Sequence, residues 1–436
     1  MRTLRLIVGL LVIALVASGR FMFAQVNDVI VAGMVKDQTG GVLPGAAITV
    51  TEVNTGIARS TVTGQYGRYE VVALGPGTYQ VRADLTGFQK VITEEVKLAV
   101  GDHRTLDIVM PVGEMNQQVT VAADASTVEP TRSSLAGLVE DKAIQQLPLN
   151  GRNFAQLAVL QEGVVSFTSN RAGFFGGRNL KFSVYGSRFN QNTFLLDGTN
   201  VNDIYNNSPG SVAGVLLGVD AVAEFEVITH NFSAEYGRTV GGIVNAVSKS
   251  GTNEVHGSVF EFMRNDNLDA RNFFDRFGKP EFKRNQFGFS VGGPLKKDKT
   301  FLFGNFETLR DRLNTTNVAT VPDDNARQGI LPSGNVGVAP KVVPYVSLYP
   351  RANGRNLGGG AAEYLFAFKT PVNDEFFTIR ADHHFSDRHS TFVRYNFDNA
   401  NANRLPSIAP LPVFDEIEKS RNQYATIGHK ILTSSL

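Results

Sequence analysis

Three patterns of hydrophobic and polar residues follow one another along the chain, and the first covers residues 25–112. Short runs rich in β-branched residues alternate there with turns such as Gly40-Gly41, Pro44-Gly45 and Pro76-Gly77. Seven runs at this spacing predict a small β-sandwich. The predicted strands are residues 29–35, 46–53, 57–63, 68–73, 78–84, 90–99 and 104–110.

The second pattern, in residues 130–250, mixes helical and strand signals. Apolar positions at helical spacing predict short helices at residues 141–147 and 153–160. Strands are predicted at residues 182–185, 194–196, 225–228 and 242–247. We therefore expect a small α+β domain, joined to the sandwich by a linker of small and polar residues at 113–129.

The third pattern, from residue 251 to 436, is a two-residue alternation. Phe287, Phe289 and Val291 lie on the face opposite Gln286, Gly288 and Ser290, and Val393, Tyr395 and Phe397 oppose Arg394, Asn396 and Asp398. A membrane wall with lipid outside and a polar lumen inside needs this period. Further strands are predicted at residues 255–264, 300–308, 376–385 and 423–432, and the Asn-, Pro- and Gly-rich residues between 309 and 376 predict a long loop.

The N-terminus carries an export signal. Arg2 and Arg5 precede an apolar run at residues 6–16, which is too short to span a membrane as a helix but fits a secretory signal peptide. We assign residues 1–24 to it, although Ala17 and Gly19 offer an earlier cleavage site and Met22 fits poorly before a cut after Ala24. The chain is therefore expected to leave the cytoplasm.

Composition removes several classes of function. A net charge of +1 argues against nucleic-acid binding, and the absence of cysteine excludes disulfides and thiolate metal sites. No histidine has a glutamate three residues later, and neither a Gly-x-Ser-x-Gly frame nor a phosphate-binding glycine loop is present. We expect no enzyme and no cofactor.

Two polar groups are candidates for ligand or metal binding, and each has a simpler explanation. His383-His384 is a possible metal pair, but adjacent residues on a strand point to opposite faces. The asparagine-rich residues 190–202, with Asp197 and Asp203, suit a ligand or calcium, yet local hydrogen bonds to the backbone explain them as well. We favour the simpler explanation for both.

Motifs in the second region resemble the plug of TonB-dependent outer-membrane receptors and its junction with the barrel. The motif residues are Leu196, Asp197, Gly198, Tyr236, Gly237, Gly241, Gly242, Asn245 and Lys249, with a strand motif at 222–227. The turn and strand pattern of residues 31–79, including Gly67-x-Tyr69 and Pro76-Gly77-x-Tyr79, resembles the carboxypeptidase regulatory-like domain. Tyr185-Gly186-Ser187-Arg188 and Tyr236-Gly237-Arg238 depart from the usual receptor motifs, and with the sandwich they point to the Oar-like branch.

The resemblance implies a mainly β protein with four parts after the signal peptide. These are an N-terminal β-sandwich at 25–112, the linker at 113–129, a small α+β plug domain at 130–250, and the first strands of a transmembrane antiparallel β-barrel at 251–436. Receptors of this family have about 22 strands, which need roughly 220 spanning residues. Only 187 residues follow Lys249 (436 − 249), so the barrel is expected to be incomplete.

The resemblance also implies a coupling site on the linker. In such receptors an extended segment before the plug, the TonB box, is bound by a periplasmic energy-transducing protein through strand addition. Val119, Thr120, Val121 and Ala122 lie at the corresponding place. The alternative is a linker strand without that role. In the same way, Gly241-Gly242 suits either plug movement or close backbone packing.

The expected function is uptake of a bulky solute, such as a siderophore or an oligosaccharide, driven by the inner-membrane proton gradient through a TonB-like transducer. The implied location is the outer membrane of a Gram-negative type of cell, in contact with its lipid, with the sandwich and plug accessible from the periplasm. The alternative is a structural or adhesive surface protein that binds carbohydrate or protein through the sandwich. An accessory protein of a peptidase ranks third, because no catalytic domain follows.

Overall fold

The computed structural model describes residues 29–113, 118–122, 135–147, 149, 152–167, 181–214, 218–234, 236–237, 239–271, 273, 279–405 and 411–432. The protein is mainly β, with a few short helices. The predicted signal peptide and part of the linker lie outside these residues. Within them, no helix is both long enough and apolar enough to cross a membrane.

The N-terminal region is a two-sheet sandwich. Its strands are β1 (Val29–Asp37), β2 (Ala47–Glu52), β3 (Ala58–Val62), β4 (Arg68–Leu74), β5 (Gly77–Asp84), β6 (Lys90–Leu98), β7 (His103–Thr105), β8 (Ile108–Met110) and β9 (Gln118–Ala122). One sheet has the order β4-β1-β7 with β8 also on β1, and the other has the order β3-β2-β5-β6-β9. Buried residues of both sheets, such as Val31, Ile48 and Val81, form the core. The strand predictions hold, except that the last one is divided in two.

The division has a local cause in the edge of β1. The Leu106 N–H donates to the Ala32 carbonyl, and the Asp107 carboxylate accepts from the Met34 N–H at 2.9 Å. Between β7 and β8 a side chain thus takes the place of a backbone acceptor, and the two short strands run parallel to β1 before and after this position.

The central region, residues 135–250, is an α+β domain around a five-stranded mixed sheet of order β10-β15-β16-β13-β14. Its elements are β10 (Leu135–Val139), α1 (Asp141–Gln146), a 3-10 helix (Phe154–Leu160), β11 (Val164–Phe167), β12 (Lys181–Val184), a 3-10 helix (Phe189–Gln191), β13 (Thr193–Leu196), β14 (Thr199–Asn200), a 3-10 helix (Val219–Ala221), β15 (Val222–His230) and β16 (Ile243–Ser248). The first predicted helix forms, and the second is a 3-10 helix capped by the Asn153 side chain. Strands β10, β11 and β14 were not predicted, since they are short and lack a clear alternation.

The C-terminal region is an antiparallel sheet of long strands in the order β17-β18-β19-β23-β24-β25. Its elements are β17 (His256–Asn265), a 3-10 helix (Asp266–Leu268), β18 (Phe282–Lys296), β19 (Thr300–Pro322), a 3-10 helix (Ala326–Gln328), β20 (Ile330–Leu331), β21 (Gly334–Asn335), α2 (Val343–Ser347), β22 (Asn356–Gly358), β23 (Ala361–Ser386), β24 (His389–Arg404), a 3-10 helix (Pro412–Phe414) and β25 (Glu416–Ile431). We call this sheet the wall.

The predicted long loop after residue 309 is wrong in extent. Strands β19 and β23 run for 23 and 26 residues and stay paired from Thr300 and His383 to Pro322 and Ala361. Polar cross-strand contacts support the added length, as where the Arg312 guanidinium donates to Asn373 Oδ1 at 2.7 Å. Only residues 323–360 form the loop.

The two faces of the wall differ as the alternation predicted. Phe289 and Ile379, on the outer face, are 48% and 50% exposed, whereas Arg394 and Asp398, on the face toward the central domain, are almost fully buried. On β23 the outward positions from 377 to 385 are apolar apart from His383. This length agrees with the 9–11 residues of a membrane-spanning strand.

Candidate functional site

The central domain meets the inner face of the wall at Asp197, directly after β13. Asp197 and Gly198 both have left-handed backbone conformations, with φ of 47° and 76°, and they form the turn into β14. Since β13 runs parallel to β16, Ser248 lies beside this turn. The Asp197 carboxylate accepts hydrogen bonds from the Ser248 N–H at 2.9 Å and from its hydroxyl at 2.7 Å.

Two arginines of the wall complete this arrangement, which we call the Asp197 cluster. Arg380 on β23 donates to Asp197 Oδ1 at 3.2 Å and to the Ser248 hydroxyl at 2.8 Å. Arg394 on β24 forms an ion pair with Asp197 Oδ2 and donates to the Leu196 carbonyl at 3.2 Å. The carboxylate therefore connects one turn of the central domain to two strands of the wall.

The electrostatics of the cluster favour an ionised Asp197. Arg380 and Arg394 are direct cross-strand partners, and like charges in that position destabilise a sheet unless an anion compensates them. Burial alone would raise the pKa of Asp197, but the two guanidiniums and the bonds from Ser248 outweigh it and hold the pKa below its ordinary value. Asp382 also pairs with Arg380, at 2.9 Å. Each arginine thus has a counter-charge.

A second ionic contact lies at Arg152 of the central domain. Its guanidinium is 2.6 Å from Asp220 Oδ2 and 3.6 Å from Glu307 Oε1, and Glu307 belongs to β19 of the wall. The same guanidinium lies 3.8 Å from the centre of the Phe260 ring on β17. Arg152 therefore contacts the first and third strands of the wall.

A third contact joins the loop after β14 to the far part of β24 and β25. The Val212 N–H donates to the Ser420 hydroxyl at 3.0 Å, and Arg404 donates to the Val212 carbonyl at 3.2 Å. Asn422 donates to the Gly210 carbonyl at 3.3 Å. With the two ionic contacts, the central domain is fixed to the wall at three separate places.

The sandwich is held against both of the other regions. The Asn54 carbonyl accepts from the Asn253 N–H at 2.9 Å, and Arg59 donates to the Asp387 carbonyl in the β23–β24 turn at 2.9 Å. The Val100 N–H donates to the Glu224 carboxylate of β15. Burial raises the pKa of Glu224 to about 7, against the opposing effect of that hydrogen bond.

The predicted coupling residues form β9, but this strand is not free. Val119, Thr120, Val121 and Ala122 pair in parallel with Val91, Ile92, Thr93 and Glu94 of β6. The linker strand was predicted as an extended segment, and it is one. Its place at the edge of the sandwich sheet, away from the motif residues of the central domain, was not predicted.

Tyr236, Gly241 and Gly242 of the predicted motif precede β16. Tyr236 packs beside Leu195, Ile228 and Ile243. At the start of β16, a Cβ at Gly241 would lie 2.5 Å from Asn192 Oδ1, and one at Gly242 would lie 2.6 Å from a Val184 methyl group. These distances support close backbone packing as the reason for the glycine pair.

The other motif positions have structural surroundings of their own. Asn245 is fully buried in the middle of β16, where it pairs with Leu195 and Glu226 of the neighbouring strands. Lys249 forms an ion pair of 2.8 Å with Asp141 at the start of α1. A Cβ at Gly237 would meet open space. Of the predicted motif residues, Leu196 and Asp197 contact Arg380 or Arg394 of the wall, and Gly198 belongs to the same turn.

Side chains of the asparagine-rich segment form hydrogen bonds with backbone N–H and C=O groups, in agreement with the simpler explanation. Asn192 donates to the Phe182 carbonyl at 2.7 Å and accepts from the Gly242 N–H, while Asn202 accepts from the Phe194 N–H at 2.8 Å. Across the described part of the chain, no group of three or more His, Asp or Glu side chains is placed to hold a metal. His383 hydrogen-bonds Thr300, whereas His384 lies beside Phe301, the next residue along β19 and so on the other face.

The sequence did not reveal Arg152, Arg380 or Glu307 as site residues, and it placed Arg394 only on the inner face. A charged residue at an inward position of a predicted wall strand is common and carries no specific signal. The informative feature is that Arg380 and Arg394 oppose each other. That feature depends on strand register, which becomes visible only in the structure.

Two family descriptions match parts of the chain. Residues 30–111 match the carboxypeptidase regulatory-like domain, and residues 247–436 match an outer membrane beta barrel domain. The second match covers the end of β16 and the whole described wall.

Curated relatives are similar over longer stretches. The TonB-dependent transporter Oar of Myxococcus xanthus is 26% identical over 337 residues, which cover 72% of this chain and 30% of Oar. The probable TonB-dependent siderophore receptor PirA of Acinetobacter baumannii is 29% identical over 229 residues, which cover 49% of this chain and 27% of PirA. Among solved structures, the outer membrane transporter YddB from Escherichia coli aligns with a TM-score of 0.46 and 14% identity, over 69% of this chain and 37% of that chain.

These matches agree with the motifs. The chain is a relative of the Oar-like TonB-dependent outer-membrane receptors and has a carboxypeptidase regulatory-like domain before its central domain. They also support a location in the outer membrane. The chain spans less than a third of the length of each curated relative it matches.

Proposed function

We propose that this chain supplies the accessory sandwich, the plug and the first barrel strands of a TonB-dependent outer-membrane transporter that takes up a bulky solute. The Asp197 cluster is the observation that carries the proposal. A central domain held by a buried carboxylate between two wall arginines suits a plug, which has to close a barrel and still be movable.

The proposed mechanism begins at β9, which is the candidate contact of the energy transducer. A strand of the transducer adds to β9 through main-chain hydrogen bonds, and force on β9 is passed through the linker to the plug. The plug then has to separate from the wall at the Asp197 cluster. Ionic contacts suit this step because they are geometrically specific and re-form between the same groups when the force ends.

The solute is proposed by class only. PirA is named as a probable siderophore receptor, and a siderophore or an oligosaccharide fits the uptake of a scarce, bulky compound. The loop at residues 323–360, at the far end of the two longest strands, is the proposed outer surface that meets the solute first. Long loops of outer-membrane barrels face outward.

The experiment that tests this proposal is deletion of the gene in its host, with growth measured on limiting iron-siderophore or oligosaccharide sources. Growth on one source should fail in the deletion strain, and it should fail equally when the TonB-like transducer is absent. Solute binding and growth that survive loss of the transducer would instead favour an adhesive surface protein. Fractionation adds a second test, since an intact Met1 on cytoplasmic protein would contradict the proposed signal peptide at residues 1–24.

A further inference from the structure

The strand β9 is held in the sandwich by its pairing with β6. Five residues of β9, from Gln118 to Ala122, run parallel to Lys90 and the residues that follow it up to Glu94. Before it, the chain is attached to the same part of the sandwich, because the Gln89 N–H donates to the Pro111 carbonyl at 2.8 Å and Phe88 bridges to Val112. Residues 111 and 112 are therefore also held beside the start of β6.

A bulge in β6 directly follows its described pairs with β9. The register between β5 and β6 shifts next to Glu94, and Glu95 has a left-handed φ of 59°. A bulge bends its strand and ends regular pairing. The described part of the ladder between β6 and β9 ends at Glu94, where this bulge begins. Parallel pairs are slightly less stable per residue than antiparallel ones, so the parallel pairing of β6 with β9 is suited to release.

The sandwich itself is not free to carry β9 elsewhere. Its turn after β2 contacts Asn253, Arg59 contacts the Asp387 carbonyl, and Val100 contacts Glu224. These contacts fix it to the wall and to the central domain at once. Departure of β9 from the sandwich therefore requires the pairing of β6 with β9 to break.

We propose that β6 is the resting partner of β9 and that the energy transducer has to take β9 away from β6, so that the sandwich restrains the coupling strand until the transducer arrives. This inference rests on the proposed function, in which β9 is the contact strand. It assigns the carboxypeptidase regulatory-like domain a task, which is to hold that strand in the sheet.

A disulfide between the two strands tests the inference directly. The chain contains no cysteine, so Ile92→Cys with Thr120→Cys creates a single pair at register partners. Neighbouring strands lie about 4.7–4.9 Å apart, within the Cα separation that a disulfide accepts. The control is Thr51→Cys with Gln80→Cys, which joins β2 to β5 inside the sandwich and leaves β9 untouched.

The probe is the purified periplasmic domain of the host's TonB-like transducer, and binding is measured to oxidised and reduced protein. We expect a disulfide to form between positions 92 and 120, and binding of the transducer domain to be lost on oxidation and regained on reduction. The control protein should bind equally in both states. Equal binding by the oxidised and reduced forms of the variant with Ile92→Cys and Thr120→Cys would overturn the inference while leaving β9 as the contact strand. Absence of binding even to the reduced and unmodified proteins would overturn the proposed contact at β9, and the inference with it.

Discussion

At the scale of single residues, the Asp197 cluster depends on one carboxylate that balances two buried cations. Asp197→Asn removes the charge and leaves Arg394 without its anion. Breaking a buried ion pair by removing one partner costs about 3–5 kcal/mol. We expect a loss of this size in the free energy of unfolding, measured by denaturant titration of the detergent-solubilised protein.

An exposed ion pair in the same chain provides the control for Asp197→Asn. Asp324 and Arg351 lie 3.5 Å apart in the loop at residues 323–360, and both side chains are largely exposed. Asp324→Asn should change the unfolding free energy by less than about 1 kcal/mol. Equal effects of the two substitutions would show that the Asp197 cluster does not hold the central domain to the wall.

Glu224 gives a residue-scale prediction about pH. Its pKa rises from 4.5 to about 7 in the folded protein, so the folded state binds more protons than the unfolded state between these values. Stability associated with this group is therefore present below pH 4.5 and is lost as pH rises through about 7. Asp102, Glu140 and Asp141 add to the rise in the pKa.

Glu224→Gln keeps an acceptor oxygen for the Val100 N–H and removes the titration. Its melting temperature should match that of the parent near pH 4.5 and exceed it at pH 8, because only the parent then holds an ionised, half-buried carboxylate at position 224. Glu70→Gln, at an exposed position of β4, should follow the pH dependence of the parent. A Glu224→Gln profile parallel to that of the parent from pH 4.5 to 8 would contradict the assignment.

At the scale of elements, the turn after β2 fits against the β18–β19 turn of the wall. Gly56 has a φ of +70°, and a Cβ there would lie 2.4 Å from Asp298 Oδ1. Gly56→Ala therefore adds backbone strain and requires the Asp298 carboxylate to move from its hydrogen bond with Asn253. We expect a protease to release the sandwich from the rest of the variant chain faster than from the parent.

Gly45→Ala separates the two effects of the Gly56 substitution. Gly45 has a φ of +79°, but a Cβ there meets no atom within 4 Å. Alanine at either position bears a left-handed strain of about 1–2 kcal/mol, and only Gly56→Ala disturbs the contact. Equal release of the sandwich from both variants would mean that the turn does not secure it.

Elements that depend on local sequence features were predicted from the sequence, and elements that depend on contacts between distant residues were not. Strands β1 to β6 were predicted because β-branched runs and glycine turns are local features. The parts of β19 after residue 308 and of β23 before residue 376 were missed because their polar residues resemble a loop. Only the cross-strand pairing identifies them as strand. The place of β9 and the Asp197 cluster were missed for the same reason, since both join residues that are far apart in the chain.

At the scale of the whole molecule, the apolar outer face of the wall sets its position in a membrane. Ile379 lies within the apolar part of β23, next to its central outward position at Ala381. Ala367 is exposed on the same face, in the part of the strand that extends beyond the apolar part. A lipid-facing arginine costs about 2–4 kcal/mol at the bilayer midplane and about 0–1 near the interface. We therefore expect Ile379→Arg to reduce the protein recovered in the outer-membrane fraction, and Ala367→Arg to leave it unchanged. The two substitutions share a strand and a face and differ only in depth. Equal recovery of both variants would therefore mean that the membrane crosses the wall at another level. The loop at residues 323–360 would then not have the proposed position at the outer surface.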